Sequence, residues 1–193
     1  MAPETDATSP PREDAELMRR VQAGDEGAFA ELMQRWELPV KSVIARIVLN
    51  VSEAEDLAQE TFVRLWQHRG RFAADKPVKP WILGIAVNLA RNRLRWWRRR
   101  PVVALEDWTE SADGRSPTGT QGAQPLEKAE RARAVRDAIA ALPPEFREVI
   151  VLFEYEHMSY ADIAVALGIT PKTVEGRIAR GREKLRAALH SWA

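Results

Sequence analysis

Between Arg91 and Arg100 the chain places six arginines and no acid, with Trp96 and Trp97 in their midst. A guanidinium binds phosphate bidentately, and guanidinium and indole alike stack on an unpaired base, so these residue types together suit nucleic acid. A helix C-terminus also favours cations, because its unpaired carbonyls carry partial negative charge. One or two arginines would serve that purpose; six exceed it. The preceding stretch RGRFAADKPVKP, Arg69 to Pro80, is basic and punctuated by proline. It reads either as an ordinary connector or as a loop able to hold a base beside the arginines.

A second basic array lies near the C-terminus, where Pro171, Lys172, Thr173, Gly176, Arg177, Arg180 and Lys184 follow Thr170. A third set is acidic: Asp56, Gln59 and Glu60 recur at helical spacing with the apolar Val63 among them. That stripe is compatible with a solvated helix surface and with a docking face for a basic partner. No nucleophile–base pair or phosphate-cradling loop is present; AGDEG, Ala23 to Gly27, is too short and too acidic to hold phosphate. The chain has no cysteine, and His68, His157 and His190 are far apart in sequence, so no metal or cofactor is expected. Enzymatic function is therefore disfavoured.

The elements that must position these residues are all helical. Apolar residues recur at three- and four-residue spacing over residues 13–100 and again over 126–193, with no β alternation between. The intervening 101–125 is rich in Gly, Ser, Thr, Asp and Pro and predicts a flexible linker, while 1–12 predicts a disordered acidic tail. In the first block Asp14 or Asp25 can cap short helices covering Leu17, Val21, Phe29, Leu32 and Trp36. SEAE, Ser52 to Glu55, has capping-box spacing with Ser52 at the N-cap. The following helix turns Ala54, Leu57, Ala58, Thr61, Phe62 and Leu65 inward and leaves the acidic stripe outside. In the helix from Trp81, residues Ile82, Ile85, Ala86, Leu89 and Trp96 share a packing face; Trp81, Gly84, Asn88, Arg91, Arg95 and Arg98 occupy the opposite, outward face.

In the second block Ser159 is placed to cap one short helix, with Asp162 three residues on and Gly168 at its left-handed end. Thr170 then caps a second helix with Pro171 at its first position. Val174, Ile178, Gly181, Leu185 and Leu189 form its packing stripe, and the basic residues point away. A short helix, a glycine turn and a basic helix make a helix-turn-helix, whose second helix enters the DNA major groove; Gly176 permits close backbone approach. Leu142, Phe146, Val149, Ile150 and Phe153 predict core ahead of it, and His157 a polar turn.

The net charge of +1 by itself selects no partner. The acidic, Pro-rich start is unlike a signal peptide. No run reaches the roughly 18 apolar residues of a membrane span. A cytoplasmic protein is expected.

These motifs in this order resemble the extracytoplasmic function (ECF) group of bacterial RNA polymerase sigma factors. AGDEGAFAELMQRW, SEAEDLAQETFVRLWQHRGRF and PWILGIAVNLARNRLRWWRRR are similar to the family's region 2, and ALPPEFREVIVLFEYEHMSYADIAVALGITPKTVEGRIARGREKLR to its region 4. The resemblance implies an all-α chain of two helical domains, a region 2 bundle and a region 4 helix-turn-helix domain. It implies that Asp56, Gln59, Glu60 and Val63 dock on the β′ clamp helices of core RNA polymerase. By the same resemblance Arg69, Arg71, Phe72, Lys76, Lys79, Trp81, Asn88, Arg91, Arg95 and Arg98 face the opened −10 promoter element, including a flipped base. Region 4 would read the −35 element through the helix from Pro171 and pack an apolar surface on the β flap, and a separate anti-sigma factor would hold the chain inactive. Two features depart from the family: Glu175–Gly176 stands where a Lys-Ser pair is common, and the N-terminal tail has no counterpart. The competing reading is a free-standing helix-turn-helix regulator that binds an operator without polymerase. It leaves the acidic stripe and the second, dissimilar basic element without a role. A protein that only binds RNA or other proteins is a more remote third.

Overall fold

The structure is a computed structural model that describes residues 11–73, 75–99 and 126–190. The expected tail (all but its last two residues), the 101–125 linker and Arg100 lie outside the described residues. Among the described residues all regular structure is helical, in eight α-helices: α1 Pro11–Gln22, α2 Glu26–Val48, α3 Val51–His68, α4 Val78–Arg99, α5 Leu126–Ala140, α6 Pro144–Ile150, α7 Tyr160–Leu167 and α8 Pro171–Ala188. A 3-10 turn, Arg69–Arg71, follows α3, and a π-type turn, Val151–Tyr155, extends α6.

Local chemistry sets most boundaries. Asp25 caps α2 by accepting from the Ala28 backbone N–H at 2.9 Å. The helix it starts is long rather than short, running through Pro39 to Val48. Asp14 is not a cap: it lies inside α1, buried, where its carboxylate accepts from the Trp36 indole N–H at 3.1 Å. Burial pushes the Asp14 carboxyl up, against the lowering by Trp36 and Arg35. The junction of α2 and α3 is two residues long. Leu49 closes α2 in left-handed conformation (φ 63°), and Asn50 opens α3 by accepting from the Glu53 N–H at 2.9 Å. The cap is therefore Asn50 and not Ser52: the Asn50 side chain holds the Glu53 N–H and its carbonyl accepts from the Ala54 N–H, so α3 starts at Val51 and Ser52 already lies inside its first turn.

Helices α2, α3 and α4 pack on one another and α1 lies across α2. Their interior is Leu32, Val43, Ile44, Ile47, Leu65, Ile82 and Leu83, all fully buried, each contributing about 1.5–3 kcal/mol by leaving water. In the C-terminal group α6 and α7 pack on α8. A Cβ at Gly181 of α8 would lie 2.9 Å from Ile150 Cγ1, so glycine there lets α8 sit close against α6. The two groups do not stand apart. Helix α7 lies along α4, and the buried apolar residues of both groups form one continuous cluster.

Candidate nucleic-acid interface

The helix-turn-helix forms as its local signals dictate. Ser159 accepts from the Asp162 N–H at 3.1 Å, Gly168 ends α7 at φ 64°, and Thr170 accepts from the Thr173 N–H at 3.2 Å with Pro171 at the first position of α8. Val174, Ile178 and Gly181 are buried beneath. Pro171, Lys172, Thr173, Arg180 and Lys184 are exposed, and space is open beside Gly176, where a Cβ would meet nothing within 4 Å. Glu175 is exposed on the same turns. Arg177 is only half-exposed, because it turns toward α4.

On α3, Asp56, Gln59, Glu60 and Val63 are all exposed, Val63 at 53%. Glu60 accepts from Arg64 Nε at 2.8 Å, an i,i+4 pair that holds its carboxylate along the helix surface. Beside this stripe, α2 and α3 enclose an open groove of about 620 Å³ lined by Phe29, Met33, Gln59, Phe62, Val63 and Trp66. The rings of Phe29 and Trp66 meet at 4.9 Å there, and Lys41 and Glu55 form an ion pair at its rim. The exposed apolar residue is therefore the edge of a groove and not an isolated defect in a polar face.

The loop after α3 is held by Gln22, whose side-chain amide donates to the carbonyls of Arg69 at 3.1 Å and Phe72 at 2.8 Å. Sequence reasoning missed Gln22; only its place at the end of α1 brings it to the loop. Arg69 stacks over Trp66 at 4.2 Å and donates to the Trp66 carbonyl, while Arg71 and Lys76 are exposed. Phe72 differs from its expected place at the DNA. It is 5% exposed and packs on Trp81 with ring centroids 5.1 Å apart, because an aromatic ring at the loop end gains more from the α1–α4 core than from water. It supports Trp81, itself half-buried.

Along α4 the outward face is outward only in part. Asn88, Arg95 and Arg98 are exposed. Gly84 is buried, and a Cβ there would sit 2.8 Å from the Ala166 carbonyl oxygen of α7. Lys79 Nζ donates to the Glu156 carbonyl at 2.6 Å and lies 3.4 Å from its carboxylate. Arg91 binds Glu148 bidentately, Nε to Oε1 at 3.1 Å and Nη2 to Oε2 at 2.6 Å, and this pairing holds the guanidinium charged. The wheel placed Asn88, Arg91, Arg95 and Arg98 on the polar face correctly; the C-terminal group covers that face only at Gly84 and Arg91. Between the two groups Arg91, Arg95, Arg98 and Arg177 converge on a groove of about 330 Å³ that Glu145 and Glu148 also line.

Besides Asp14, two buried charges were not expected: Arg147 and Glu148 on α6 are 7% and 2% exposed. The available signal was an adjacent Arg-Glu pair inside the otherwise apolar run FREVIVLF. No group of metal-ligating side chains and no helix able to span a membrane occurs among the described residues.

The sequence matches the Sigma-70 region 2 family over residues 32–100 and the Sigma-70 region 4 family over residues 132–185. It is 33% identical to the RNA polymerase sigma-H factor of Pseudomonas aeruginosa, covering 92% of this chain and 94% of that protein. It is 32% identical to the ECF RNA polymerase sigma factor SigW of Bacillus subtilis, over 89% of this chain and 94% of that one. Among solved structures, CnrH in complex with the cytosolic domain of CnrY is similar with a TM-score of 0.69 and 27% identity, over 94% of this chain and 99% of that one.

Proposed function

Because the chain belongs to the ECF subfamily of RNA polymerase sigma factors, we propose specific roles for its three surfaces in directing promoter recognition and transcription initiation. The α3 stripe of Asp56, Gln59, Glu60 and Val63 docks on the β′ clamp helices of core polymerase, with the α2–α3 groove taking an apolar side chain of the partner. Helix α8 reads the −35 element in the major groove through Lys172, Thr173, Arg177, Arg180 and Lys184, with Pro171 and Gly176 shaping the approach. The loop residues Arg69, Arg71 and Lys76, together with Lys79, Trp81, Asn88, Arg91, Arg95 and Arg98, open and hold the −10 element. Extruding a base costs a few kcal/mol, which stacking and guanidinium–phosphate contacts offset. Region 2 comprises residues 13–100 and region 4 residues 126–193, the latter also packing on the β flap. The protein acts without an enzymatic step of its own, in the cytoplasm, and a separate anti-sigma factor controls it.

The observation that carries this reading is the capped helix-turn-helix on the same chain as an exposed acidic, groove-edged helix. A free-standing operator binder has use for the first only. Runoff transcription with core polymerase and a genomic promoter library tests it. Added protein should yield discrete transcripts, and an absence of initiation would refute the assignment. Affinity capture from extract should recover core polymerase and one further inhibitory protein; recovery of polymerase alone would count against the inhibitor.

A further inference from the structure

The 3-10 turn Arg69–Arg71 begins the loop assigned above to the −10 element, and the following rests on that assignment. Three anchors fix the turn. At its start the Arg69 guanidinium folds back, donating to the Trp66 carbonyl at 2.7 Å and stacking over the Trp66 ring, so it is held on the end of α3. At its end the Phe72 ring is buried against Trp81. The third anchor comes from α1. The half-buried Gln22 commits both N–H groups of its amide to the turn, Nε2 donating to the Arg69 carbonyl at 3.1 Å and to the Phe72 carbonyl at 2.8 Å. One amide thus ties both ends of the turn together. Its mount is firm: Met18 and Val21 beside it on α1 are fully buried, and Gly24 ends the helix two residues on, at φ 89°. Between the anchors Gly70 and Arg71 stay exposed, with Lys76 beyond them.

We propose that Gln22 is a positioning residue for promoter opening, holding the Arg69–Phe72 turn in the shape that presents Gly70 and Arg71 to the displaced strand. Both of its N–H groups are used on the turn, so it holds the loop and does not read a base. Extruding a base is costly, and the groups that capture it act best when already in place. A loosened turn therefore slows opening more than it weakens promoter occupancy. A carboxylate of the same size would face two carbonyl oxygens with no proton to donate, and an aliphatic chain would leave the Phe72 carbonyl to water.

The test uses holoenzyme assembled from core polymerase and the full chain carrying Gln22→Leu or Gln22→Glu, on a promoter found by the runoff assay. Rapid-mixing permanganate footprinting reads the rate at which thymines become unpaired. Its dependence on holoenzyme concentration separates half-saturation of the promoter from the limiting rate of opening. Both variants should lower the limiting rate roughly tenfold, the order expected for two lost hydrogen bonds. Half-saturation and affinity for core polymerase should be unchanged, and circular dichroism should show the helices retained. If opening falls in both variants only in step with helicity or core affinity, the role is general to the fold and the proposal is overturned. Arg71→Ala combined with Lys76→Ala reports on the loop itself. If that double variant opens slowly while both Gln22 variants open at the wild-type rate, the −10 assignment stands and positioning by Gln22 is refuted. If the double variant opens at the wild-type rate, the loop does not meet the −10 element, and the assignment and the role of Gln22 fail together.

Discussion

Arg147 and Ile47 stand a hundred residues apart in sequence, yet the Arg147 guanidinium donates from Nη1 to the Ile47 carbonyl at 2.7 Å. The same guanidinium bonds the carbonyls of Ala140 and, at 2.9 Å, Leu142. It thus closes the end of α5 and the end of α2 together. Burial lowers the Arg147 affinity for its proton, opposed by the neighbouring Glu148, yet the group remains cationic at any ordinary pH. Arg147→Met keeps the aliphatic volume and deletes charge-assisted bonds worth roughly 1.5–3 kcal/mol each. A loss of about 3 kcal/mol in urea unfolding is expected, with Arg147→Lys intermediate. An unchanged midpoint would show that these carbonyls find water at no cost.

Asp56→Arg and Val63→Arg should each weaken core polymerase binding by more than about tenfold, a change of about 1.4 kcal/mol. Both side chains are exposed on α3 and far from the caps that set the fold, so thermal stability should hold. Binding to duplex −35 DNA should be unchanged. Surface plasmon resonance on immobilised core enzyme reads the first effect, and parallel loss of duplex binding would point to misfolding in place of a lost contact.

Arg180→Ala and Lys184→Ala should weaken duplex binding about equally across sequences. If each contacts one phosphate, each lowers the slope of log affinity against log salt by about 0.9. Glu175→Ala should act with the opposite sign, because an exposed carboxylate on the first turns of α8 repels the backbone. A salt titration of anisotropy separates these effects from base readout, which would leave the slope unaltered.

Burial pushes the Glu156 carboxyl up from its ordinary value of 4.5, opposed by the ammonium of Lys79 and the charges of Arg46 and His157. A raised folded-state value means that the folded chain binds this proton more tightly than the unfolded chain. Its stabilising contribution is complete below the unfolded value and is lost as pH rises through the folded one. Glu156→Gln should therefore be more stable than wild type at pH 7, with the difference disappearing at about pH 4. Urea midpoints at the two pH values decide this; equal midpoints at pH 7 would mean that Lys79 fully compensates the burial.

The helix-turn-helix was legible residue by residue, because Ser159, Gly168, Thr170 and Pro171 act on atoms at most three or four positions away. So was the polar face of α4, since a helical wheel needs only sequence spacing. The same local rules erred where two capping residues lay two positions apart: Asn50 starts α3 at Val51 and leaves Ser52 inside its first turn. Phe72 was placed at the DNA by the family resemblance alone, and the basic loop around it in the chain does not report the core that α1 and α4 bring over it. Arg91 shows the limit most directly. Its place on a polar face follows from the sequence, but its partner is Glu148, 57 residues away. Hydrogen bonds within a turn are fixed by chain geometry, whereas the packing of α7 on α4 depends on which surfaces meet after the chain has folded back. The sequence by itself therefore determined which side chains lie on the polar face of α4, and the tertiary structure decided which of them the C-terminal group already holds.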